Sequence, residues 1–215
     1  MTIRVLLADD QEMVRAAFRM ILGSQPDIEI VAEAADGLTA VERARELRPD
    51  VCLLDIRMPG IDGLEATRQL AGPEADEPLN VLIATTFDLD EYVYRALRDG
   101  ACGFLLKDGS PALLTEAVRA VASGGSLISP SITVRLLRHM SAPTTQPERS
   151  PTEPLTSREL DVVRLVARGR TNEEVAAELY VTLSTVKTHL ANAQRKLGAR
   201  NRVEIAAWAW ESGTV

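Results

Sequence analysis

Five residues of the 215-residue chain have the types and placement for chemistry: the adjacent pair Asp9-Asp10, then Asp55, Thr85 and Lys107. Each lies just past a short apolar run, respectively Val5-Leu6-Leu7-Ala8, Val51 to Leu54, Val81 to Ala84 and Gly103 to Leu106. If those runs end at one edge of a sheet, three carboxylates, a hydroxyl and an ammonium share one site. Carboxylates a few ångströms apart repel too strongly to stay ionised without a counter-charge. A hard divalent cation is the natural remedy, and Mg2+ suits such a site because it takes one or two carboxylates and keeps several waters. Lys107 adds a second positive charge, a point donor for an anion. Taken singly, the residues have plainer readings. An aspartate after a strand commonly caps a helix, and Lys107-Asp108-Gly109-Ser110 alone is an ordinary turn. Only their convergence separates the two.

The elements that must position them alternate along residues 1–127. A fifth apolar run, Ile28 to Ala32, joins the four above, and each is too short for a helix. Continuous apolarity suits parallel strands covered on both faces. Between them lie helical stripes: Val14, Ala17, Phe18, Ile21 and Leu22, then Leu113, Leu114, Ala117, Val118 and Val121 behind Ser110-Pro111. The expected fold is α/β, a doubly wound five-stranded parallel sheet. Its functional crevice lies at the carboxyl ends of the strands, where the five residues would meet.

Residues 128–154 read as a short helix from Ser129-Pro130 through His139, then a linker, SAPTTQPERSPTEP from Ser141 to Pro154, whose four prolines break helix and strand alike. Residues 155–215 form a small all-α domain. Thr156-Ser157-Arg158-Glu159 and Thr171-Asn172-Glu173-Glu174 are capping boxes, Gly169 separates their helices, and Thr182 caps a third running towards Leu197. The short link Tyr180-Val181-Thr182 is helix-turn-helix spacing, in which the second helix enters the DNA major groove. Val186, Leu190, Ala193 and Leu197 make the apolar stripe of that helix. Thr185, Lys187, Thr188, Ala191, Asn192, Arg195 and Lys196 make an exposed face. A solvated amphipathic helix has the same two faces, so the capping boxes and the tight turn carry the DNA reading. A last helix with Val203, Ala206, Ala207 and Trp210 in one stripe packs on the core or on another copy.

Asp9-Asp10, Asp55 within LLDIRMPGIDG, Thr85 within IATTFD and Lys107 within GFLLKD resemble the receiver domain of bacterial response regulators, a flavodoxin-like fold. The resemblance spans residues 3 to about 125, with 30 residues from Asp55 to Thr85 and 22 from Thr85 to Lys107. It implies that Asp55 is the phosphoacceptor, that Asp10 binds Mg2+ directly and Asp9 directly or through water, and that the main-chain carbonyl of Arg57 completes the ligands with Asp55. Thr85 and Lys107 would then hold the phosphoryl group, and Phe104 is the switch aromatic. Arg57 and Phe87 occupy positions linked to acyl-phosphate lifetime. Asp108 departs from receivers that follow the lysine with proline. Residues from Leu155 to Ala206 look like the LuxR-type helix-turn-helix of the NarL/FixJ subfamily. That implies base contacts from Lys187, Thr188 and Ala191 and phosphate contacts from Thr185, Arg195 and Lys196. A sensor histidine kinase, promoter DNA and a homodimer formed on phosphorylation are the implied partners, with catalysis limited to the chain's own phosphoryl transfer and acyl-phosphate hydrolysis.

Charge distribution agrees with two parts that have different partners. Of the net −7, residues 1–127 hold 22 acids against 12 bases, while 153–215 hold 8 against 9. No run of about 18 apolar residues is present, so a membrane span is not expected. The start, Met1-Thr2-Ile3-Arg4, lacks the features of a secretory signal. Cys52 and Cys102 sit in apolar runs and read as core thiols of a protein in a reducing cytoplasm. Two rival readings are weaker. An aspartate-nucleophile phosphatase wants a second acid two residues after the nucleophile, where this chain has Arg57. A receiver that ignores phosphorylation would have lost an acidic residue or the lysine, and none is lost.

Overall fold

The computed structural model describes residues 2–73, 75, 77–86, 90–129, 132 and 153–215. Phe87, the expected helix through His139 apart from Ser129 and Ile132, and the linker up to residue 152 lie outside them. Two compact units emerge, one built on the sheet and the other on the four C-terminal helices.

In the first unit, strands and helices alternate: β1 (Ile3–Ala8), α1 (Glu12–Gly23), β2 (Ile28–Ala34), α2 (Gly37–Leu47), β3 (Val51–Leu54), α3 (Gly63–Ala71), β4 (Val81–Thr85), α4 (Asp90–Arg98), β5 (Gly103–Leu106), α5 (Pro111–Ala122) and β6 (Leu127–Ile128). The strand order is β2-β1-β3-β4-β5-β6, all parallel. Six strands therefore stand among the described residues where hydropathy predicts five. The sixth is two residues long and half-buried, pairing Leu127 with Gly103 and Ile128 with Phe104, too short to make an apolar run.

Alternating side chains of the strands feed two cores. Leu6, Cys52, Leu54, Ile83 and Phe104 pack under α2, α3 and α4, while Val5, Leu7, Leu53, Leu82 and Leu105 pack under α1 and α5. That explains why β3 and β5 are apolar throughout, whereas the edge strand β2 carries Glu29 and Glu33. Asp36 and Asp62 cap α2 and α3 by accepting from the N–H groups of Thr39 and Glu65. Both cysteines are free, and burial pushes their thiols up to about 12 for Cys52 and about 11 for Cys102.

The second unit holds α6 (Ser157–Ala167), α7 (Asn172–Leu179), α8 (Leu183–Leu197) and α9 (Arg202–Glu211). Both capping boxes form as the sequence predicts, and Thr182 accepts from Thr185 N–H at the start of α8. Val162, Val163, Val175, Val186, Ala193, Ile205 and Ala209 make the centre of its core. The buried face of α9 differs from the expected stripe. Ile205 and Ala209 are inside, whereas Trp210 is 60% exposed and donates its indole N–H to the Ala167 carbonyl. The segment IAAWAW is apolar almost all round, so periodicity could not choose its inner face. No helix among the described residues is long and apolar enough to cross a membrane.

Candidate functional site

The carboxyl ends of β1, β3, β4 and β5 are neighbours in the sheet, and the residues that follow them converge. Asp9 and Asp55 are buried, and Asp10 faces solvent beside them. A carboxylate oxygen from each of the three lies within 4.8 Å of the others. Lys107 reaches in from the end of β5, its Nζ 2.6 Å from Asp9 Oδ2 and 2.9 Å from Asp55 Oδ2. The other oxygens have backbone donors: Asp9 Oδ1 accepts from Gln11 N–H at 3.0 Å and Asp55 Oδ1 from Ile56 N–H at 2.8 Å. Burial raises the Asp9 carboxyl above its ordinary value, against the opposing pull of Lys107 and the Gln11 N–H. Thr85 is fully buried at the end of β4, and its carbonyl accepts from the Lys107 N–H at 2.9 Å. The Thr85 backbone thus fixes where the lysine leaves the strand.

Three carboxylates against one ammonium leave two uncompensated negative charges, all on oxygen. That donor set fits a hard divalent cation and is wrong for a soft one. The pocket can therefore hold a metal ion at Asp9, Asp10 and Asp55.

The second site is the outer face of α8. Lys187, Thr188, Ala191 and Arg195 are exposed, and Thr185 and Asn192 are half-buried. Thr185 shares a hydroxyl hydrogen bond with Thr182, and Thr188 Oγ1 donates to the Ser184 carbonyl. Tyr180 ends α7 in the left-handed region at φ +56°, which makes the turn into α8 short.

Residues 5–119 match the response regulator receiver domain, and residues 153–209 match the bacterial regulatory proteins of the luxR family. The chain belongs to the response regulators of the NarL/FixJ subfamily. It is 40% identical to the transcriptional regulatory protein LiaR of Bacillus subtilis over 210 residues, covering 96% of each chain. ChrA, the response regulator of a heme-sensing two-component system, is 36% identical, with a TM-score of 0.54 over 100% of this chain and 99% of its own. RcsB of Salmonella enterica, bound to a promoter in the presence of the phosphomimetic BeF3−, is 25% identical with a TM-score of 0.58, covering 97% of this chain and 98% of its own.

In this response regulator Asp9, Asp10, Asp55 and Lys107 meet as the sequence predicts, with Thr85 at the same sheet edge. Arg57 lies exposed in the loop after β3. Phe104 is fully buried, its ring inside the core under α4. Lys196 requires a correction. It does not belong to the exposed face of α8: it is 9% exposed, with Nζ 2.8 Å from Glu159 Oε2. The amphipathic stripe is wider than four residues, and Lys196 falls on its inner edge, where the acid of the first capping box waits.

Two contributors escape a reading by motif. Arg15 donates to the Asp9 carbonyl at 2.6 Å, fixing the backbone that aims the carboxylate. Gly63 opens α3 against the acidic pocket, where a Cβ would lie 1.8 Å from the Asp55 carbonyl oxygen. Its own N–H donates to the Ile56 carbonyl at 2.7 Å, so any side chain there would displace Asp55. The Asp-Gly dipeptide before an apolar stripe marks a helix start, but not what the helix abuts.

Proposed function

We propose that this response regulator accepts a phosphoryl group on Asp55, dimerises, and in that form binds promoter DNA to regulate transcription. The convergence of Asp9, Asp10 and Lys107 on the Asp55 carboxylate carries the reading. In the transfer, an Asp55 oxygen bonds to phosphorus as the phosphorus–oxygen bond of acetyl phosphate, or the phosphorus–nitrogen bond of a kinase phosphohistidine, breaks. The bonding pair leaves with acetate or imidazole. The chain's task is positioning and charge neutralisation, because the carboxylate needs no base to attack. Mg2+, held by Asp9, Asp10, Asp55 and the Arg57 carbonyl, would neutralise charge on the phosphoryl oxygens. Lys107 pairs with the same oxygens from the other side, and the Thr85 hydroxyl binds one in the product. Phe104 then follows Thr85. The chain is no enzyme beyond this self-directed transfer and the hydrolysis that ends it, and it works in the cytoplasm beside a sensor histidine kinase.

Residues 1–127 serve as the receiver, 128–154 as the connection and 155–215 as the DNA-binding domain. Within the last, Lys187, Thr188 and Ala191 face base edges while Thr185 and Arg195 favour phosphates; Asn192 lies between them. A single α8 reads few base pairs, and residues 153–215 carry a net of only +1. Two linked copies on half-sites about 10 base pairs apart gain through effective concentration.

Wild type and Asp55→Asn, incubated with acetyl phosphate and Mg2+, provide the test by intact mass and sedimentation. The expected result is one phosphoryl group on wild type only, abolished by chelator and accompanied by a doubling of sedimenting mass. Equal labelling of the variant overturns the phosphoacceptor assignment. Labelling without a change of mass overturns the dimer.

A further inference from the structure

We infer that Ser129 is a positioning residue that ties the strand leaving the sheet to the switch end of β5, so that the state of the acidic pocket is passed to the chain beyond. The inference rests on the phosphoacceptor reading above and concerns how that site is read out.

Ser129 immediately follows β6 and is 4% exposed. Its N–H donates to the Phe104 carbonyl at 3.0 Å, and its Oγ accepts from the Leu106 N–H at 3.3 Å. The two bonds straddle Leu105 and end one residue before Lys107, whose Nζ holds Asp9 and Asp55. Three residues on, Ile132 is fully buried in the same apolar cluster as the Phe104 ring, with Val93 and Ala96 of α4, and its N–H donates to the Ser129 carbonyl at 3.0 Å. The exit segment therefore grips both the backbone and the ring environment of Phe104.

The hydroxyl has a local reason. Strand β6 stops at Ile128, opposite Phe104, so no ladder carbonyl extends to Leu106 on that side. An N–H turned from solvent without a partner is costly even when only half-buried, as at Leu106, and Ser129 Oγ supplies the acceptor. The consequence is mechanical. A shift of the β5 backbone between Phe104 and Leu106 when a phosphoryl group arrives must carry Ser129 with it or break its bonds. Since β6 and Ser129 lead directly into 130–152, which joins the two units, the same two bonds connect pocket and exit.

The full-length chain gives the test, with DNA affinity measured at fixed salt with and without BeF3− and Mg2+. The duplex is one selected from a random library by the BeF3−-treated wild type. The readout is the ratio of the two affinities, which is independent of phosphorylation rate. Ser129→Ala is expected to lower that ratio about fivefold, the scale of one coupling interaction, and Ser129→Thr, which keeps the hydroxyl, to restore most of it. Ile132→Val loosens the packing of the same segment but keeps both Ser129 hydrogen bonds, and is expected to lower the ratio less than Ser129→Ala does. A ratio unchanged in Ser129→Ala overturns the inference. So do equal losses in Ser129→Ala and Ile132→Val that follow their melting temperatures, because that is ordinary packing. A wild-type ratio of one overturns the phosphorylation-dependent reading itself, and this inference with it.

Discussion

Lys107 and Lys196 are both buried lysines ion-paired to acids, at 2.6 and 2.9 Å in the first unit and 2.8 Å in the second. Their surroundings differ in charge balance. Among the described residues Lys196 pairs with one carboxylate, that of Glu159, which also accepts from the Thr156 N–H at 2.8 Å, so this pair closes at zero. Lys107 meets two carboxylates with a third nearby, and the group stays negative. A closed pair of this kind locks the last turn of α8 to the first turn of α6. An open cluster stores a demand for further positive charge, which makes it a binding site. Net charge within reach, rather than burial or pairing distance, separates the architectural lysine from the one with chemistry.

The sharpest way to break that contrast is to neutralise each lysine in turn. Lys107→Gln is expected to slow acetyl-phosphate labelling of Asp55 about 100-fold, the scale of losing one charged donor to a transferring group, while the thermal transition of the second unit stays put. Labelling at the wild-type rate would make Lys107 as architectural as Lys196. Lys196→Gln should do the reverse, destabilising the second unit by about 2 kcal/mol because Glu159 is left as a buried unpaired charge. Calorimetry of the full chain reads this, with the labelling rate unchanged.

Lys187→Ala sharpens the comparison within α8. This exposed lysine should cost about tenfold in DNA affinity at fixed salt with no change in melting temperature, the opposite signature to its buried neighbour nine residues on. The smallest effect is on pH. Burial would raise the Glu159 carboxyl, but Lys196 and the Thr156 N–H outweigh it and hold the folded value below the ordinary 4.5. A lowered carboxyl contributes stability that is present above 4.5 and lost as pH falls through the folded value. The acid-side loss in the melting temperature of the second unit should therefore begin below about pH 4.5 and vanish in Lys196→Gln.

Much of this was legible from local signals. Val51 to Leu54 and Gly103 to Leu106 are strands with the bounds their apolar runs predict, and Thr156 and Thr171 cap their helices through the glutamates three residues on. Strand length, capping and the position of an acid after a strand depend on neighbours within a few residues, so the string of letters carries them. The acidic cluster was legible too, because one topological rule sends every carboxyl end of a parallel sheet to the same edge. Strand β6 was not. Its two residues form a strand only because β5 offers an open edge at Gly103 and Phe104, a partner 24 residues back in the chain.

The sequence alone determined which residues bear charge, which segments can be helix or strand, and which strand ends hold Asp9, Asp55, Thr85 and Lys107. Those are properties of residue type and short-range spacing. Only the tertiary structure decided which lysine is spent on packing, which face of α9 turns inward, why Gly63 admits no side chain, and that Ser129 bonds on both sides of Leu105. Each of these depends on what a distant segment brings to within about 4 Å, the range at which contact, desolvation and charge pairing act.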